Sequence, residues 1–178
     1  MITTTHTILS HYQSTCDFEH NNLCSWKNDQ SYYPWRVTDS DTLIENKLIS
    51  KFAPKTDHTI NTSRGHFAYL SHEEDDTNLL RISVLSLDYS EVEGSDGSLC
   101  LTLWYHMRTA DDVQLNVTVS APDDSYQTIA TRRHDQGYQW NKLQVESLVK
   151  KGYQLRISAL AKLGIVAIDD ISLKRGAC

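Results

Sequence analysis

Apolar and polar residues alternate along much of this chain. Leu99, Leu101, Leu103, Tyr105 and Met107 share one parity and Thr102, Trp104 and His106 the other, which is the two-residue period of a β-strand. Val113, Leu115, Val117 and Val119 repeat the pattern, as do Tyr153, Leu155, Ile157 and Ala159. Weaker runs predict strands at 32–37, 43–49, 66–70, 79–87, 126–131, 142–145 and 166–173. Turn-forming clusters separate them: Glu93-Gly94-Ser95-Asp96-Gly97, Ala121-Pro122-Asp123-Asp124, Asp135-Gln136-Gly137 and Lys151-Gly152. No stretch sustains an apolar period of 3.6; at most, 145–151 forms a short helical turn that Gly152 ends. Roughly ten short strands in one domain predict an all-β sandwich of two antiparallel sheets, of Greek-key or jelly-roll type, with the apolar faces sheltered between the sheets.

Composition narrows the function. The 178 residues, 39% hydrophobic and 22% charged, suffice for one domain with a full core. With 17 basic against 23 acidic residues the net charge is −6, so no basic field attracts phosphate backbones and nucleic acid is not an expected partner. The apolar runs fall far short of the ~18 to 20 residues of a membrane span, so direct membrane insertion is not expected. Residues 1–15 lack the basic and apolar regions of a secretory signal and read as a polar, flexible extension, leaving 16–178 as the domain.

Four cysteines, Cys16, Cys24, Cys100 and Cys178, form an even set without a C-x-x-C pair, which suits disulfides better than a zinc ribbon. Three pairings are open. Joining Cys16 to Cys24 and Cys100 to Cys178 would close a short loop and fix the C-terminus, worth ~2 to 5 kcal/mol each. The bland alternative is four reduced, buried thiols in the cytosol. Asn61-Thr62-Ser63 and Asn116-Val117-Thr118 satisfy the glycosylation pattern, which matters only in a secreted chain. Asn116, lying between Leu115 and Val117, is expected on the solvent face of its strand.

Motifs then fall in an order of their own. Cys16-Asp17-Phe18-Glu19 followed by Leu23-Cys24-Ser25-Trp26 resembles the opening of the MAM domain, an extracellular module of meprins, neuropilins and mu-type receptor tyrosine phosphatases. Asp57-His58-Thr59 with Gly65-His66-Phe67-Ala68-Tyr69-Leu70, the strand from Cys100 to Met107, Trp140, and Ala167-Ile168-Asp169-Asp170-Ile171-Ser172-Leu173 before Cys178 are similar to its later segments. The resemblance implies a jelly-roll β-sandwich, Cys16–Cys24 and Cys100–Cys178 disulfides, and a role in adhesion or assembly outside the cell, secreted or as part of a membrane protein's ectodomain. It also implies a structural Ca²⁺ site, carried here by Glu19, Asp57 and Asp170 or Asp169. After Trp26 the chain departs from the family's acidic pair and second Trp, reading Lys27-Asn28-Asp29-Gln30-Ser31-Tyr32-Tyr33-Pro34-Trp35.

The residues themselves set limits on that chemistry. Calcium takes six to eight oxygens at ~2.3 to 2.6 Å, which strand ends can bring together. In a regular strand Asp169 and Asp170 face opposite sides, so at most one points inward, where it needs a cation, an Arg or backbone N–H donors. Asp39-Ser40-Asp41 opens like an EF-hand loop but carries Ile44 at the glycine position, and Glu73-Glu74-Asp75-Asp76 reads as a solvated acidic turn. His72-Glu73 lacks the second His of a zinc protease, and no G-x-S-x-G, Walker or dinucleotide pattern occurs. No catalytic residue is assigned, and His58 is expected to serve an ordered turn. Trp104 and Trp140 are expected between the sheets, and Tyr32, Tyr33 and Trp35 around Pro34 as an exposed contact patch.

These readings predict a non-catalytic extracellular module making protein–protein contacts, with itself or with another surface or secreted protein. Alternatives are a calcium-dependent carbohydrate-binding sandwich and an accessory or oligomerisation domain of a protease.

Overall fold

The computed structural model describes residues 13–45, 49–71, 80–88 and 97–178. The expected turn at 93–97 and the acidic run 73–76 lie largely or wholly outside the described residues. Among the described residues, nine strands and one short helix follow in the order β1 (Gln13–Cys16), β2 (Lys27–Asn28), β3 (Arg36–Asp39), α1 (Ser40–Glu45), β4 (His66–Ser71), β5 (Arg81–Asp88), β6 (Gly97–Ser120), β7 (Tyr126–Arg133), β8 (Asn141–Val149) and β9 (Gln154–Arg175). All pairings among them are antiparallel.

The two longest strands explain the architecture. The alternation at 99–107 and that at 113–119 belong to one strand, β6, and β9 likewise joins the runs at 153–159 and 166–173. Paired along their length, β6 and β9 pass through both layers of the sandwich, so one continuous ladder builds both. In layer A, the first half of β6 carries β8 and the second half of β9 carries β4 and β1, with β3 outside β4. In layer B, the second half of β6 carries β7 and the first half of β9 carries β5, with β2 outside β5. The corner lies where the register shifts between Thr109 and Asp112, opposite Leu163 and Gly164. Leu163 has φ 50°, and a Cβ on Gly164 would come within 2.4 Å of the Arg108 carbonyl oxygen. A bulge with a glycine is how a strand bends between layers.

The inward parity fills the core. Leu101, Leu103 and Met107 of layer A and Val113, Leu115 and Val117 of layer B are buried, together with Ile157, Ala161, Val166 and Ile168 of β9. Burial of this continuous apolar face is the main force holding the layers together. Both expected disulfides are closed, Cys16–Cys24 and Cys100–Cys178.

A second, smaller core lies on the outside of layer A. Phe67, Ile165 and Ala167 point away from the main core and are covered by Leu43, Ile49 and Ala53. The cover comes from α1 and the segment after it, where a strand over 43–49 was expected. Asp39 accepts the Thr42 N–H at 2.7 Å, turning the chain from β3 into a helix. β8 in turn extends to Val149, so 145–149 is strand rather than helical turn.

Candidate functional site

The Asp-His-Thr motif sits on that outer face, and each member has a separate task. The Asp57 carboxylate, fully buried, accepts the N–H of Ile60 at 2.6 Å and of Thr62 at 2.8 Å, closing the loop on itself. Gly65 is required beside it, because a Cβ there would come within 2.1 Å of the Asp57 carboxyl carbon. His58 stacks flat on Trp104 with ring centroids 3.8 Å apart, and its Nδ1 lies 2.5 Å from Asp170. Its backbone N–H donates to Asp169 at 2.8 Å, and the Thr59 hydroxyl donates to Asp170 at 2.8 Å. The Trp140 indole N–H donates to the Thr56 carbonyl, and buried His106 bonds the Phe52 carbonyl, each at 2.8 Å. The excursion at 49–65 is thus pinned to layer A along its length.

Two expectations are corrected here. Asp169 and Asp170 do not face opposite sides, because Asp170 has φ 47° and the β6 register slips between Thr102 and Trp104. The extra residue of this bulge turns both carboxylates to the same loop. Trp104 and Trp140 lie on the outer face, around His58 and His106, and not between the sheets. Trp104 shares the parity of Thr102 and His106, and that parity faces the covering loop.

Calcium fits these residues by donor type and charge, not as a preformed cage. Glu19, Asp57, Asp169 and Asp170 offer only oxygen, yet among the described residues no group of three or more His, Cys, Asp or Glu side chains is gathered to hold a metal ion. Glu19 accepts the His66 N–H at 2.8 Å, so all four carboxylates receive N–H or O–H donors. Two of the four are nevertheless out of contact with water: Asp57 and Asp169 are both at 0% exposure. Burial pushes the Asp169 carboxyl up to about 7; the His58 N–H pulls it back, and the charges of Asp170 and Asp57 add to the rise.

Tyr32 and Tyr33 are exposed at 43% and 42%, whereas Trp35 is buried at 2%. Trp35 therefore leaves the proposed patch and joins the core. The Asn28 side chain accepts the Trp35 N–H at 2.8 Å and donates to its carbonyl at 3.0 Å, and this clamp turns the ring inward. Tyr33 is fixed by its N–H to the Ile82 carbonyl at 3.0 Å and by the Ser83 hydroxyl on its own carbonyl at 2.6 Å. With Tyr32, Pro34, Leu80 and Ile82 it lines an open groove of about 450 Å³.

Other surface groups escaped the sequence reading. Tyr126 and Leu148 are exposed at 75% and 78%. On the outer face of layer B, Tyr126, Ser120, Gln154 and Asp88 stand side by side across four strands, bordering a polar cleft of about 350 Å³ that Arg156 also lines. Asn61 is exposed, and half-buried Asn116 lies on this same face, accepting from Gln114 at 2.8 Å and Thr131 at 3.0 Å.

Comparison with known proteins decides the family. The family model "MAM domain, meprin/A5/mu" matches residues 16–178. The chain belongs to the MAM domain family. MAM domain-containing protein 2 of Mus musculus is 27% identical over 172 residues, covering 93% of this chain and 22% of that protein. Neuropilin-1 of Rattus norvegicus is 29% identical over 174 residues, covering 91% of this chain and 17% of the relative. The chain thus spans about a fifth of the curated relatives it matches. Among solved structures, the K1 cleaved adhesin domain of Lys-gingipain from Porphyromonas gingivalis W83 aligns with TM-score 0.63 at 11% identity, covering 93% of this chain and 99% of that one. The CBM22-1 xylan-binding domain of Paenibacillus barcinonensis Xyn10C aligns with TM-score 0.58 at 12% identity, covering 92% and 95%. These two show the β-sandwich fold alone. As a MAM domain with two closed disulfides, the module is extracellular.

Proposed function

We propose that this MAM domain is a non-catalytic module that makes protein–protein contacts outside the cell within a larger protein. The observation that carries the reading is the groove at Tyr32 and Tyr33. Two aromatic rings stand exposed on a loop already fixed by backbone hydrogen bonds, so docking on them costs little ordering entropy. The test is binding of a fluorescent tetramer of the module to intact cells. Binding that survives enzymatic deglycosylation of the cells, is lost after their surface proteolysis, and falls in Tyr32→Ser/Tyr33→Ser supports protein contact. Binding unaffected by that double substitution refutes the role of the groove.

Carbohydrate binding is a second reading, supported by the layer B cleft. An exposed Tyr126 ring beside Ser120, Gln154, Asp88 and Arg156 offers a stacking face next to hydrogen-bonding groups, the combination that suits a sugar ring. Glycan arrays with and without chelator test it, and loss of cell binding on deglycosylation would transfer the function to this face. Within either reading, a calcium ion would serve as structural counter-charge at Asp57 and Asp169. Their complete burial and the raised Asp169 titration support this.

A further inference from the structure

β8 ends layer A: it pairs with β6 alone, and among the described residues no strand pairs with the backbone N–H and C=O groups of its far side. Long open edges of this kind invite a partner strand unless charge or a covering segment blocks them. The burial pattern of β8 alternates cleanly, with Lys142, Gln144, Glu146 and Leu148 exposed on the outer face and Leu143 and Val149 buried beneath. Leu148, at 78% exposure, leaves a large apolar side chain in solvent at the end of this row.

The order of the exposed residues is self-complementary. When the strand is laid antiparallel against a copy of itself with Gln144 opposite Gln144, Lys142 falls opposite Glu146 and Glu146 opposite Lys142. In the same register Leu148 meets Trp140 of the copy, an indole already part of the outer apolar cluster. Leu143 meets Val145 on the inner parity, continuing the core. Shifting the centre to Val145 sets Lys142 against Leu148 and Glu146 against Gln144, so only the first register pairs both charges. Glu146 also accepts the Ser98 hydroxyl from the neighbouring strand, and Gln144 donates to the Cys178 carbonyl at 3.3 Å. These contacts fix the row, and the Cys100–Cys178 bridge lies under it.

We propose that β8 is a self-recognition edge, on which two copies of the chain pair β8 with β8 about a two-fold axis at Gln144 and extend layer A across the interface. A two-fold contact of this kind is isologous and closes at a dimer. The proposal rests on the protein-contact reading and names a second copy as one partner. It can fail alone, since cell binding through Tyr32 and Tyr33 does not depend on it.

Sedimentation velocity over a concentration series tests it. The wild type is expected to shift from monomer to dimer, and less so at high salt. Glu146→Lys alone, or Lys142→Glu alone, turns both cross-strand pairs repulsive and should weaken dimerisation about tenfold or more. Mixing those two single variants restores both attractive pairs and should restore association as a heterodimer, as should the double exchange Lys142→Glu/Glu146→Lys within one chain. Far-UV circular dichroism checks that each variant is folded. A wild type that stays monomeric at millimolar concentration, single variants that dimerise like the wild type, or a mixture that associates no better than its components would each overturn the assignment.

Discussion

Acid should destabilise this domain through one buried imidazole. His106 is at 0% exposure, and its Nε2–H donates to the Phe52 carbonyl beneath the covering segment. Burial lowers its pKa from 6.5 to about 4, against the Phe52 bond, which raises it. The unfolded chain therefore takes up a proton near 6.5 while the folded chain does not until about 4. Between those values the unfolded state binds more protons, so stability falls as pH falls. At about 1.4 kcal/mol per pH unit, the interval from 6.5 to about 4 amounts to about 3 kcal/mol, fully lost below the lower value. Asp169 acts in the opposite sense: its folded carboxyl titrates at about 7 against 3.8, so its contribution falls as pH rises through that window. Comparison with His106→Gln cancels it, because Asp169 is common to both proteins. Urea unfolding followed by tryptophan fluorescence from about pH 7 to about pH 4 should show the Gln variant the less stable near neutrality. It should gain about 3 kcal/mol relative to the wild type on acidification. A difference that stays constant across this range would refute the burial argument.

Three further outcomes are expected. Removing the bridge across the 78-residue separation with Cys100→Ala/Cys178→Ala should cost about 4.5 kcal/mol, against about 2.6 kcal/mol for Cys16→Ala/Cys24→Ala, as read by urea titration. Gly65→Ala drives a methyl into Asp57 and should cost about 1 to 3 kcal/mol by the same assay, while Gly176→Ala, which meets no atom within 4 Å but has φ 97°, should cost less. Millimolar calcium should raise the melting temperature of the wild type and not of Asp57→Asn. A wild-type melt unchanged between calcium and chelator would remove the ion from the proposed function.

Local pattern revealed the strands because alternation is a property of neighbouring residues. The parities of 99–107 and 113–119 match the inward faces of β6, and the disulfide pairing that the family resemblance implies is the one formed. The Asp-His-Thr and Asp169-Asp170 motifs were visible as motifs. Their meeting was implied by the family resemblance alone and not by residue patterning, because His58 and Asp170 are 112 residues apart and come together only through the fold.

What the sequence determined by itself is therefore an all-β, disulfide-bridged MAM domain, since period, cysteine count and motif order need no knowledge of distant contacts. Tertiary structure decided the rest. It merged four runs into two long strands that bend between layers, turned Trp35 inward on Asn28, and moved Trp104 and Trp140 under a covering loop. A bulge or a clamp changes the facing of a side chain by one backbone angle or one hydrogen bond, and partners far along the chain choose that angle.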